Sequence, residues 1–147
     1  MRAVTMRLGD EIFAVEAERV REILEIGTVT SVPNAPDFVG GLINVRGTVV
    51  PLADLRVSFG MPRPPHDEDT RIVVMEIEID GEKTVAGVLA DKVHDVTDLD
   101  AESMEPAPRI GMRWPQGFVR GIAKRDGRFI IIPDINRIFA HGVAADH

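Results

Sequence analysis

The sequence predicts an all-β protein built as two small five-stranded barrels with short helices. Three observations predict it: an internal repeat, turn signals at regular spacing between short apolar runs, and the absence of any long helical pattern. Residues 13–26 align with 86–99 at an offset of 73, and identity or chemical class survives at nine of the fourteen positions. Val15, Ala17 and Val20 fall on Val88, Ala90 and Val93, and Glu18, Arg19, Glu22 and Ile23 fall on Asp91, Lys92, Asp95 and Val96. Further along the offset becomes 80, so that Phe38, Gly41, Gly47, Asp54 and Phe59 fall on Phe118, Gly121, Gly127, Asp134 and Phe139. The change from 73 to 80 places a net insertion of seven residues in the second copy. The expected organisation is one domain over 1–142, with subdomains near 1–60 and 70–142, a Pro-rich joint at 61–69 and a tail at 143–147.

Each half reads as the same series of elements. Apolar runs at 3–8 and 11–15 flank Gly9-Asp10, and their counterparts at 71–79 and 83–89 flank Asp80-Gly81. Asp-Gly is a strong hairpin signal, because both central residues of a type I′ turn need positive φ. Residues 16–20 and 90–93 are each expected to make one helical turn, followed by strands near 22–26 and 94–98. Strands at 41–46 and 48–53 flank Gly47, and strands at 119–125 and 128–133 flank Asp126-Gly127. A short helix then closes each half. Asp54 and Asp134 sit where a carboxylate accepts the first free helix amides. Leu55 and Phe59, like Ile135 and Phe139, are four apart and face the barrel. Gly60 and Gly142 read as C-terminal stops.

Composition narrows the function. Lys and Arg total 17 and Asp and Glu 24, a net charge of −7, which opposes generic binding to nucleic acid or an anionic membrane. The absence of Cys removes disulfides, thiolate nucleophiles and Cys-ligated metal centres. No apolar run approaches the ~20 residues of a membrane-spanning helix, and the first residues lack the apolar core of a signal peptide. The expectation is a soluble, cytoplasmic protein. A receiver domain is excluded because it alternates strands with long helices, and a phosphotransfer bundle because it is mostly helix.

The segment Pro33–Arg56 (PNAPDFVGGLINVRGTVVPLADLR) closely resembles the signature of the CheW family, the coupling proteins of bacterial chemotaxis. Supporting stretches are Asp10–Ile26 (DEIFAVEAERVREILEI), Ala86–Asp98 (AGVLADKVHDVTD), Glu105-Pro106-Ala107-Pro108 and Gly121–Asp134 (GIAKRDGRFIIIPD). The resemblance implies two five-stranded, SH3-like β-barrels around a shared core, with an N-terminal strand crossing to the other barrel. It implies an adaptor with no catalytic activity and no cofactor. Its partners would be the regulatory domain of a CheA-type histidine kinase and the cytoplasmic tip of methyl-accepting chemoreceptors, met in membrane-associated arrays. The length suits a stand-alone coupler, monomeric when free, rather than a fusion to a receiver or kinase.

Arg46 precedes Gly47 at a hairpin tip, where a side chain projects into solvent. Taken alone it reads as a solubilising turn residue; the resemblance aligns it with the receptor interface. The equivalent tip in the second half is Asp126, of opposite charge, which a purely structural turn does not require. Val20, Glu22 and Ile23 lie where the helical turn meets the third strand. Val20 and Ile23 read equally as core residues. The resemblance sets this edge beside a groove for a receptor helix, where apolar anchors need polar rim groups such as Glu22. Asn44 and Gly41 would shape the same neighbourhood. The resemblance transfers no kinase-facing residue.

Other candidates for chemistry are weak. His66, His94, His141 and His147 show no ligand spacing, with the last two expected in a frayed tail. Ser31, Ser58 and Ser103 are in no nucleophile-elbow context, and no Gly-rich phosphate loop occurs. The acidic run Asp91–Glu105 reads as a solvated face and does not match a calcium loop. Trp114, in the insert near 106–116, reads as a plug over an open barrel end. Two alternatives remain open: a CheW-like scaffold in a non-flagellar chemosensory pathway, and a small-barrel ligand-binding domain. Against the latter stand the acidic charge, an aromatic content of only 5% and the lack of Tyr for stacking.

Overall fold

The structure, a computed structural model, describes residues 1–106 and 117–144. Ten strands run in order: β1 (Arg2–Leu8), β2 (Glu11–Glu16), β3 (Val20–Glu25), β4 (Val39–Val45), β5 (Thr48–Ala53), β6 (Arg71–Ile79), β7 (Glu82–Ala90), β8 (Lys92–Asp98), β9 (Val119–Arg125) and β10 (Arg128–Pro133). Helix α1 (Leu55–Ser58) follows β5 and α2 (Ile135–Ala144) follows β10. The strands form two curled sheets of five, in the orders β8-β1-β2-β10-β9 and β3-β6-β7-β5-β4. These are the first and second barrels.

The order shows how the repeat is used. The repeat pairs β1 with β6, β2 with β7, and so on to β5 with β10. Each barrel takes its leading hairpin from one repeat and its last three strands from the other. An entire hairpin is exchanged in each direction, where the resemblance implied a single crossing strand. The Pro-rich joint divides the repeat and leaves both barrels composite. The exchanged hairpins dock through the parallel pairs β2–β10 (Phe13↔Ile131) and β5–β7 (Ala53↔Val88).

Side-chain alternation explains the layering. In β1, Val4, Met6 and Leu8 point one way into a core shared by the barrels, and Ala3 points the other way into the first barrel's interior. In β6, Val73, Met75 and Ile77 join the shared core while Ile72 and Val74 fill the second barrel. These strands are buried on both faces and read as near-continuous apolar runs, whereas the edge strand β3 alternates. Phe13, Phe59 and Phe118 stack edge to face through the shared core, with centroids 5.1 and 6.2 Å apart.

The turns follow the expected chemistry. Arg46-Gly47, Asp80-Gly81 and Asp126-Gly127 all have positive φ at both positions, as type I′ requires. The helix caps are also as expected. Asp54 accepts from the Arg56 amide at 3.0 Å and Asp134 from the Arg137 amide at 3.1 Å. A bridge pairs Thr30 with Leu42 in one repeat and Glu105 with Ile122 in the other. The offset is 75 at Thr30, so two inserted residues precede the bridge and five follow it.

Four expectations are corrected. Residues 90–93 make no helical turn: β7 runs to Ala90 and β8 starts at Lys92, whereas Ala17–Arg19 does form a 3-10 turn. Gly142 does not stop α2 but lies within it, against Phe38, where a Cβ would come within 2.5 Å of the ring. His141 is accordingly helical, its ring 5.2 Å from that of Phe118. Asp91, the first member of the supposedly solvated run, is buried because its position has been given a buried cation to face. Arg56 donates to Asp91 at 2.8 Å and to both carboxylate oxygens of Asp54 at 2.9 Å. The second Asp91 oxygen accepts from the Gly9 amide at 2.7 Å. Trp114 and His147 lie outside the described residues.

Candidate functional site

Strands β3 and β8 are repeat equivalents and the edge strands of their barrels. Between them lies an open groove of about 840 Å³. Its lining is apolar with a mainly acidic rim: Val20, Ile23 and Ala17 with Val4 and Val96, beside Glu16, Glu18, Glu22 and one cation, Arg2. Ile23 is 43% exposed and Val96 53%. These two are the same position of the repeat, so the groove lies between the two copies of one edge. Val20 is half-buried: it packs onto the shared core and also lines the groove.

The structure brings Arg46 and Glu22 together. Arg46 ends the hairpin after β4, at the opposite edge of the second barrel from β3, and curling brings the two edges face to face. Its Nε lies 3.5 Å from Glu22 Oε2, with the Arg46 side chain 83% exposed and that of Glu22 24%. A pair this open in water contributes little to stability; it sets the Arg46 guanidinium beside Glu22, which lines the groove. Asn44 fixes the turn that aims it, its Oδ1 accepting from the Gly47 amide at 2.8 Å. Arg46 itself has φ of +52°, as the first central position of a type I′ turn requires.

Gly41 does not reach the groove. It sits at a bulge in β4 with φ of +138°, where a Cβ would lie 2.5 Å from Val29 Cγ1 and 2.7 Å from the Thr30 carbonyl oxygen. Its role is to let the Thr30–Leu42 bridge close over the strand.

Sequence reasoning missed the other half of the groove. Val96 was legible, since the offset of 73 sets it on Ile23. Glu16 was not. It ends β2, and Arg120 from β9 donates to its Oε1 at 2.6 Å while Arg19 lies 4.0 Å away. Burial opposes ionisation of Glu16, but its hydrogen bonds to Arg120 and Glu18 and the charges of Arg19 and Arg120 win, holding the carboxyl below its ordinary range. Arg120 is the repeat equivalent of Gly40, so no symmetry signal marks it.

The arrangement offers apolar anchors, fixed charges and no reacting pair. Among the described residues no group of three or more His, Asp and Glu is placed to hold a metal ion. A groove with this composition suits a helix laid along it by its apolar face. The model of the CheW-like domain matches residues 2–143. The chain belongs to the CheW-like domain family. The chemotaxis protein CheW of Klebsiella aerogenes is 34% identical over 133 residues, covering 90% of this chain and 78% of that one. The probable chemotaxis protein CheW of Rhizobium etli is 33% identical, covering 93% and 86%. The crystal structure of the scaffolding protein TtCheW from Thermoanaerobacter tengcongensis superposes with a TM-score of 0.82 at 35% identity, covering 94% of this chain and 91% of that one. The CheW-like assignment accounts for the two composite barrels.

Proposed function

We propose that the protein is a chemotaxis adaptor that couples methyl-accepting chemoreceptors to a CheA-type histidine kinase by protein–protein binding, without catalysis. The observation that carries this reading is the apolar groove between β3 and β8, with the Glu22–Arg46 pair beside it. A receptor helix lays aliphatic side chains on Val20, Ile23 and Val96. Its polar flank exchanges partners with Glu22 and the exposed Arg46. Asn44 and Gly41 act one step back, through the turn and the bulge. The kinase regulatory domain binds elsewhere on the molecule. The adaptor works in the cytoplasm, is monomeric when free, needs no cofactor, and is recruited to membrane-associated receptor arrays. Among the described residues no helix is long and apolar enough to cross a membrane.

Binding of a receptor cytoplasmic fragment and of the kinase regulatory domain, measured separately by calorimetry, tests this. Arg46→Glu places like charges at the pair and is expected to weaken receptor binding by about ten-fold or more, with kinase binding unchanged. Failure of the native protein to bind either partner would overturn the reading.

A further inference from the structure

The chain passes from the first barrel to the second through the 3-10 turn Ala17–Arg19, between β2 and β3, and returns at Asp91, between β7 and β8. The two crossings are repeat equivalents, since the offset of 73 sets Glu18 on Asp91 and Arg19 on Lys92. Each is met by the same position of the other repeat's closing helix, because the offset of 80 sets Arg56 of α1 on Asn136 of α2. Each also takes in a backbone amide at the end of the other repeat's first strand, Gly9 after β1 and Glu78 in β6.

Equivalent in place, the crossings are fastened by different chemistry. At the return crossing the Arg56–Asp91 pair is buried, with Nη1 2.8 Å from Oδ1. The other Asp91 oxygen accepts from the Gly9 amide, and the Asp91 amide donates to the Arg7 carbonyl oxygen at 3.0 Å. At the first crossing both bonds converge on one neutral oxygen. Asn136 Oδ1 accepts from Arg19 Nη1 at 3.2 Å and from the Glu78 amide at 2.9 Å, and both side chains are only half-buried. A buried ion pair resists separation, because each partner would be left charged and uncompensated. A half-exposed hydrogen bond to a neutral amide exchanges for water at little cost.

Only the lighter fastening faces the groove. Ala17 and Glu18 line it between Glu16 and Val20, whereas their equivalents Ala90 and Asp91 are buried. Arg19 reaches in two directions, with Nε 4.0 Å from Glu16 Oε1 on the groove and Nη1 bonded to Asn136 away from it. Behind the turn lies a second open cleft of about 300 Å³, lined by Glu18, Arg19 and Glu78. The 3-10 turn therefore has open space on both sides, and one hydrogen bond from Arg19 ties it to α2.

We propose that Arg19 and Asn136 are positioning residues for the groove. Their hydrogen bond sets where the 3-10 turn stands, and it adjusts to the helix seated there while the Arg56–Asp91 crossing keeps the barrels joined. Neither side chain lines the groove; both act through Glu16, Ala17 and Glu18. The elements that move on binding are drawn from the weakly held parts of a fold, and this crossing is the weakly held one of an equivalent pair. The proposal rests on the reading of the groove as the seat of a receptor helix.

The test compares the full native chain with Asn136→Leu, which removes the acceptor, Arg19→Met, which removes the donor, and Asn136→Asp, which keeps the acceptor and adds the charge used at the other crossing. Arg19→Met carries the argument should Asn136→Leu fail to fold. Amide relaxation dispersion on the free protein reads microsecond-to-millisecond motion. Motion is expected at Ala17–Val20 and not at Asp91–Val93 in the native chain, larger in Asn136→Leu and Arg19→Met, and suppressed in Asn136→Asp. Calorimetry with a receptor cytoplasmic fragment is expected to give about five-fold weaker binding in Asn136→Leu and Arg19→Met, restored in Asn136→Asp. A merely structural role would lower the unfolding midpoint without moving either readout. Motion that is equal at the two crossings or absent from both, unchanged affinity in the folded variants, or no rescue by Asn136→Asp would overturn the positioning role alone. A native chain that binds no receptor fragment would overturn the receptor reading and this proposal with it.

Discussion

Two side chains carry energetic consequences out of proportion to their visibility in the sequence. Arg56 is 3% exposed and joins Asp54 in α1's cap to Asp91 beyond β7, and Asp91 in turn holds the Gly9 turn of the exchanged hairpin. Asp54, first by hydrogen bonding, and Asp91 hold the guanidinium above its ordinary pKa. Arg56→Met leaves two buried carboxylates without their cation and is expected to destabilise the fold by about 3–5 kcal/mol, read from urea unfolding. A loss below about 1 kcal/mol would mean that the triad is not a structural link. Glu16 is the second case. Its pKa is lowered in the folded state, so its stabilising contribution is present above the unfolded pKa and is lost as pH falls through the lower folded value. Arg120→Ala should raise the Glu16 titration midpoint in carboxyl-detected NMR and cost less than about 1 kcal/mol at neutral pH, since the pair is partly exposed. That difference from the native protein should vanish in acid. Neither residue was legible beforehand. Asp91 sits within an acidic run that looks solvated, and a sequence does not reveal which carboxylates face a buried arginine. Arg46 and Glu22 were legible, but their mutual contact emerges only when the barrel curls its two edges together.

Strands and turns were far more readable than helices. Gly9-Asp10, Asp80-Gly81 and Asp126-Gly127 bounded the hairpins because the turn backbone itself demands those residues. The expected turn at 90–93 failed for the opposite reason. Its residues match 17–20 in class, but burial of Asp91 pulls the chain straight from β7 into β8, and tertiary contact overrides a weak local preference. Gly142 looked like a stop and serves as clearance over Phe38. Gly41 is the sharper test of a glycine set by an element. Gly41→Ala combines a positive φ with a Cβ overlapping Val29 and the Thr30 carbonyl. It is expected to cost about 2–3 kcal/mol in chemical unfolding, and an unchanged midpoint would remove the bulge's proposed role in seating the 29–30 segment.

At the scale of the molecule, the repeat showed that two similar halves exist but not that they trade hairpins. Both arrangements satisfy the same apolar alternation; the cross-repeat pairs β1–β8, β2–β10, β3–β6 and β5–β7 distinguish them. The exchange means that neither half completes a barrel alone. A fragment of residues 1–60 should lack dispersed amide resonances by itself and gain them on mixing with a fragment of 70–147. A folded isolated fragment would contradict the composite barrels. Exchange also sets the groove between equivalent edges, so that one surface draws on both copies. The proposed function requires that this surface transmit receptor control to a kinase. Its most direct measurement is kinase autophosphorylation in complexes assembled from a CheA-type kinase of the same organism, a receptor cytoplasmic fragment and either the native chain or Arg46→Glu. Receptor-dependent activity with the native chain, lost in Arg46→Glu while kinase binding persists, is the predicted result. Receptor control that is equal with both chains, or absent with the native one, would contradict the account.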